Sequence, residues 1–155
     1  MKDDIQAESL LADLWETKVI MGTTIGCIIK TTEGQIILVR DRKWWWWFPK
    51  WWQEVWESEL ETLTRECHEE LSIQKGILQN AEKLWEYDGY SKNHQINKHY
   101  IRYICKSLNQ DVKLHSQDAS IIDIGKFDIS EVMTILDYDH MKQFWSENYE
   151  TIKTF

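Results

Sequence analysis

Apolar positions along this chain switch between two periods. From Lys18 to Thr31, Val19, Ile20, Ile25, Ile28 and Ile29 form a β-branched run that reads as a strand. Thr32-Glu33-Gly34 is a turn signal and Gln35 to Arg40 a second strand, which together predict a hairpin. Ala81 to Tyr87 predicts another strand. Lys98 to Lys106 alternates, with Tyr100, Arg102 and Ile104 on one side and His99, Ile101, Tyr103 and Cys105 on the other. Ser120 to Ile129 holds a last strand. Helical spacing appears over residues 4 to 16, after Ser58, briefly after Ser130, and from Asp137 to Thr151, where Met141, Phe144, Trp145 and Tyr149 recur. Lys75-Gly76, Asp88 to Asn97 and Ser107 to Asp118 read as breaks and loops. Helices flanking a run of strands fit a sheet packed between helical layers, and no domain boundary interrupts residues 1 to 155.

The helix after Ser58 is the most informative. Ser58 with Glu61 three residues later is a capping box, and Leu60, Leu63, Cys67 and Leu71 predict one apolar stripe. Glu66, Glu69 and Glu70 share a neighbouring face. Such carboxylates repel one another. They form either a solvated acidic face or a site for a divalent cation, with hard oxygen ligands suited to Mg²⁺ or Mn²⁺. Just before this helix stands a run of rings, with seven of the ten tryptophans between Trp44 and Trp56. Trp44 to Trp47 cannot all face one core from a strand, so some must be exposed or line a pocket.

Composition narrows the function. The 155 residues are 28% charged with a single proline, which argues against disorder, and no run is apolar enough to span a membrane. The N-terminal residues carry early acids and do not read as a signal peptide. A net charge of −8 argues against a broad nucleic-acid surface and against DNA binding. It leaves room for a nucleotide held through a cation. Cys27, Cys67 and Cys105 are isolated and read as buried thiols of a reducing, cytoplasmic setting.

The stretch Phe48-Pro49-Lys50 through Ile73 resembles the signature of the Nudix hydrolases, G-x5-E-x7-R-E-U-x-E-E-x-G-U, with U a bulky apolar residue. Glu57, then Arg65-Glu66-Cys67-His68-Glu69-Glu70 and Ile73 fall in that register. Three positions depart from it. Trp51 and Ser72 stand where the signature has glycine, and Trp56 precedes Glu57 where many members also have glycine. If those positions demand positive φ, tryptophan there should strain the loop by about 1–2 kcal/mol.

The resemblance implies an α/β/α sandwich with a mixed sheet, and a Mg²⁺- or Mn²⁺-dependent pyrophosphohydrolase. By resemblance Glu66, Glu69 and Glu70 are metal ligands, Glu66 or a loop carboxylate is the base, and Glu57 is an outer ligand or the partner of Arg65. The signature arginine, Arg65, orients the glutamates. Lys50 beside the loop is a candidate phosphate contact, and Tyr87, Tyr90 and Tyr100 are candidates to stack on a base or to pack. Glu54, Asp118 and Asp123 are further candidate acids. His94 and His99 flank a polar loop at the edge of the expected pocket, while His68 reads as a surface residue. The substrate class is a small nucleotide such as a nucleoside triphosphate or dinucleoside polyphosphate, or an RNA 5′ end. The replaced glycines support a different outcome, a Nudix-fold protein that binds a nucleotide or partner without turnover.

Overall fold

The computed structural model describes residues 20–73, 78–91, 95–107 and 120–155. The predicted N-terminal helix over residues 4 to 16, the Lys75-Gly76 break, His94 and Asp118 lie outside them. In chain order the strands are β1 (Gly22–Thr31), β2 (Gln35–Asp41), β3 (Trp46–Trp47), β4 (Lys50–Trp52), β5 (Leu78–Ser91), β6 (Ile96–Ser107) and β7 (Ile121–Asp128). Helix α1 (Glu59–Leu71) lies between β4 and β5. Helices α2 (Val132–Ile135) and α3 (Asp139–Thr154) follow β7.

The seven strands form one mixed sheet whose main path runs β3-β2-β1-β6-β5. β1 and β6 are parallel at its centre, in register from Gly22↔Lys98 to Thr31↔Ser107. The remaining pairs are antiparallel, with β4 against the first half of β1 and β7 against β2. The hairpin of β1 and β2 turns through Gly34, whose φ of 82° suits glycine.

Alternation sorts the side chains into two cores. Ile25, Cys27, Ile29, Ile37, Val39, Ile101, Tyr103 and Cys105 pack under α1 with its Leu63, Cys67 and Leu71. Ile28, Ile36, Leu38 and Ile104 face the other way, onto Phe48, Val132, Leu136, Met141, Phe144 and Trp145. Both faces of the central strands are therefore covered, which is why they read as nearly continuous apolar runs. Lys30 ties α3 to the sheet, its Nζ donating to the carbonyls of Ile152 at 3.1 Å and Lys153 at 3.0 Å. The three cysteines are free and buried.

Several expectations are corrected. Asp88 to Ser91 is strand, not loop, because β5 and β6 stay paired to Ser91↔Ile96. Helix α3 runs to Thr154, three residues further than its apolar spacing marks. Leu60 is 49% exposed and leaves the α1 stripe. Thr62 is fully buried instead, since its hydroxyl reaches Glu57 at 3.1 Å. The tryptophans do not strain the signature loop. Trp51 sits in extended β4, 5% exposed, and Trp56 is not among the residues with positive φ. Of the three replaced glycines only Ser72 is left-handed, at φ 57°, where it ends α1. Among the described residues the one left-handed tryptophan is Trp44, at φ 69° in the turn after β2. The rings of Trp44 to Trp47 divide between surface and interior: Trp44 and Trp45 are exposed, while Trp46 and Trp47 are half-buried in β3.

Candidate active site

Helix α1 begins where its capping residue directs it. Ser58 is extended, and its Oγ accepts from the Glu61 amide at 3.1 Å, which satisfies one orphan donor of the first turn. Leu63, Cys67 and Leu71 bury one side of the helix, and this fixes where the other sides point. Glu66 and Glu69 then meet Arg65 beside the loop that carries Glu57.

Arg65 is the hub. Its Nε donates to Glu57 Oε2 at 2.6 Å and its Nη2 to Glu57 Oε1 at 2.8 Å, a bidentate pair. Its Nη1 reaches Glu66 Oε1 at 2.8 Å and Glu69 Oε2 at 3.2 Å. Glu57 also accepts from the Thr62 hydroxyl and, at 3.4 Å, from the Glu54 amide. The hydrogen bond from Arg65 holds the Glu57 carboxyl down at about 2. Glu66 moves the opposite way. Burial pushes its carboxyl up, against the pull of Arg65 and with the help of the Glu69 charge.

Glu70 points elsewhere. One of its oxygens accepts from the indole N–H of Trp51, across the face of β4 that turns toward α1. Among the described residues, no three acidic, imidazole or thiol groups are gathered as a ready metal site. The donor set fits a divalent cation in kind. Four carboxylates (Glu57, Glu66, Glu69, Glu70) against one guanidinium (Arg65) leave three negative charges in excess. It does not fit in arrangement until Arg65 and Trp51 release their oxygens.

Lys50 and Tyr90 belong to a different part of the molecule. They line a cavity of about 300 Å³ on the opposite face of the sheet, with Gly26, Lys98, Arg102 and His140. Successive residues of β4 thus serve the two sites, Lys50 facing the cavity and Trp51 facing α1. Tyr87 and Tyr100 stack in the cavity wall with ring centroids 5.4 Å apart. Lys50 stands at the opening, accessible to water. Crowding by the surrounding protein, then the charges of Lys98 and Arg102, bring its ammonium down to about 8. Lys98 is buried with its Nζ 3.9 Å from the centre of the Trp52 ring. His140 is pushed down by burial and by Lys50 and Arg102, so its neutral form is favoured.

Three candidates fall outside both groups. His99 does not border the cavity. It projects to the other face of β6, bonded to Asp88 and, at 3.0 Å, to Glu86. Asp123 is exposed and accepts from the Ile124 amide at 2.8 Å. His68 is exposed, with its Nδ1 3.2 Å from the Ile73 carbonyl. Sequence reasoning missed Lys98, Arg102 and His140. The signal for Arg102 was present in the alternation of β6, which puts a charge on the same face as Ile104.

At the level of sequence, no family model matches this chain and no curated protein does. Solved structures match over most of its length. An Ap4A hydrolase of C. elegans, in a binary complex, is 21% identical with a TM-score of 0.66, covering 87% of this chain and 100% of its own. The NUDIX domain of Shewanella oneidensis NrtR, complexed with ADP ribose, is 16% identical with a TM-score of 0.67, covering 84% and 87%. The MutT protein from Bacillus halodurans is 21% identical with a TM-score of 0.60, covering 81% and 80%. The mixed sheet, its two helical layers and these matches together show that the chain has the Nudix hydrolase fold, with Arg65, Glu66, Glu69 and Glu70 on its first described helix and Glu57 on the loop before it.

Proposed function

We propose that the chain is a pyrophosphohydrolase dependent on Mg²⁺ or Mn²⁺, cleaving a phosphoanhydride of a nucleoside diphosphate linked to another group. The observation that carries this reading is the Arg65 fan, which collects Glu57, Glu66 and Glu69 from a loop and a helix at one point. Glu66, Glu69 and Glu70 would hold the cation. When bound, it supplies charge neutralisation at the phosphate oxygens and acidifies water. Glu57 stays ionised and orients Arg65. Glu66, with its raised proton affinity, is the carboxylate best suited to take a proton from the attacking water. Lys50 and Tyr90 would contact the substrate from the cavity. Nucleoside triphosphates, dinucleoside polyphosphates and RNA 5′ ends are the candidate substrates.

One observation favours a second reading. The Trp51 indole occupies Glu70, which would be a metal ligand in the first. On this reading the protein binds a nucleotide or partner and does not turn it over. Release of phosphate or nucleotide from a panel of those three substrate classes, with and without Mg²⁺, separates the two. Metal-dependent turnover lost in Glu69→Gln supports the hydrolase. Metal binding with no turnover supports the second reading, and Trp51→Gly then tests whether the indole is the cause.

A further inference from the structure

The cavity opposite α1 is a place of concentrated positive charge in an acidic protein. Lys50, Lys98 and Arg102 line it, and no aspartate or glutamate does. None of the three forms an ion pair among the described residues. Arg102 is the most telling. Its guanidinium carbon lies 4.5 Å from the centre of the Phe144 ring and 5.5 Å from that of Phe48. Its Nε and Nη1 are sealed from water with no hydrogen-bond partner. Thr24 lines the same cavity and its buried Oγ1 is also unpartnered. Polar groups in such places are ordinarily satisfied, and a charge without a partner is costly.

A neutral nucleobase would leave that cost in place, and a single carboxylate would offset one charge of three. A phosphate monoester carries about two negative charges and several acceptor oxygens. It matches the three cations that line the cavity. Gly26 lies in the floor between them. A Cβ there would stand in ordinary contact, 3.6 Å from Arg102 Nε and 3.7 Å from Lys50 Cβ, so glycine keeps the floor of the cavity open by the width of a methyl group.

We propose that this cavity is a phosphoryl subsite, in which the charges of Lys50, Lys98 and Arg102 hold a phosphate group remote from the bond that is cut. The idea rests on the hydrolase reading for its substrate class. That class is a nucleotide whose scissile anhydride lies beside α1 and which bears, away from that anhydride, one phosphomonoester for the cavity. The ammonium of Lys50, brought down to about 8, fits a cluster of cations awaiting a counter-ion.

The test has a binding arm and a turnover arm. In the first, the full chain without metal is titrated with inorganic phosphate and with pyrophosphate by calorimetry. Wild type and Glu69→Gln should bind alike. Arg102→Met should weaken binding at least tenfold, and the exposed Lys50→Gln severalfold, with circular dichroism confirming the fold. No binding by wild type at 10 mM anion (on the order of the weakest affinities worth assigning), or equal binding by both variants, overturns the subsite. In the second arm, ADP-ribose is compared with its 2′-phosphate. The phosphorylated compound should win by about tenfold in kcat/KM in wild type, and the preference should vanish in Arg102→Met. A preference that survives in Arg102→Met overturns the substrate assignment. If neither compound is cleaved, the substrate assignment falls, the three-class panel with and without Mg²⁺ still decides the hydrolase reading, and the binding arm still decides the subsite.

Discussion

Replacing Arg102 by methionine should make the empty protein more stable. Burial lowers the Arg102 guanidinium well below its usual value, to about 10. That depression corresponds to about 3 kcal/mol against the charged form in the folded state. The two ring contacts return about 1–2 kcal/mol of this, at roughly 0.5–1 kcal/mol each. Methionine keeps most of the apolar packing and carries no charge. The expected net gain is about 1–2 kcal/mol, which in a chain of this size raises Tm by roughly 3–6 °C. The sign with pH follows from a cation whose folded value is depressed. Its cost is fully present below about 10 and fades as pH rises from there toward the guanidinium's ordinary value, so the advantage of Arg102→Met should shrink in strong alkali. Scanning calorimetry of both proteins at pH 7, without and with phosphate, provides the assay. Phosphate at about a hundred times its Kd should stabilise wild type by about 2.7 kcal/mol and close or reverse the gap. A lower Tm for Arg102→Met at pH 7 without ligand would show that Arg102 contributes stability by itself, and the argument from its unpaired donors would fail.

Other perturbations address the carboxylate hub and the helix end. Trp51→Phe keeps a buried ring but removes the donor to Glu70, so Mn²⁺ affinity, followed by electron paramagnetic resonance, should rise severalfold; an unchanged affinity would mean the indole does not compete with the cation. Glu57 is held at about 2 by Arg65, so its stabilising effect is present above its ordinary value of 4.5 and is lost as pH falls toward 2. Glu57→Gln should therefore unfold with a shallower pH dependence across that window in a urea–pH series, and an identical slope would contradict the pairing. Ser72→Gly should stabilise by about 1 kcal/mol, because glycine adopts the left-handed C-cap without penalty; a fall in the urea midpoint would count against it.

Much of this architecture is legible from local physics. Ser58 marks the start of α1 because a hydroxyl three residues before a glutamate caps a helix in any context. The alternation of β6 sorts its side chains correctly, since both faces of that strand are buried in layers of different composition. The acids were found by spacing, but not their partners. That Arg65 takes both oxygens of Glu57, while Trp51 reaches Glu70, depends on how β4 lies against α1, and no local rule sets that distance. The cavity was less legible still. Its cations come from β4 and β6 and its histidine from the start of α3, elements far apart in the chain. The concern over tryptophan at glycine positions failed because two of the three positions need no left-handed backbone here.

The parallel pairing of β1 with β6 also bears on how the protein is made. Lys30 and Lys106 are neighbours across that pair, 76 residues apart by number (106 − 30). The centre of the sheet is thus a long-range contact, and closing such a loop is paid for in chain entropy before any packing rewards it. On the ribosome, β1 through β4 and α1 emerge first, with one edge of β1 unpaired and Ile25, Cys27 and Ile29 lacking half of their cover. Folding should therefore wait for β6, and the nascent chain carries an open strand edge until then, the stage at which edge-to-edge aggregation competes best.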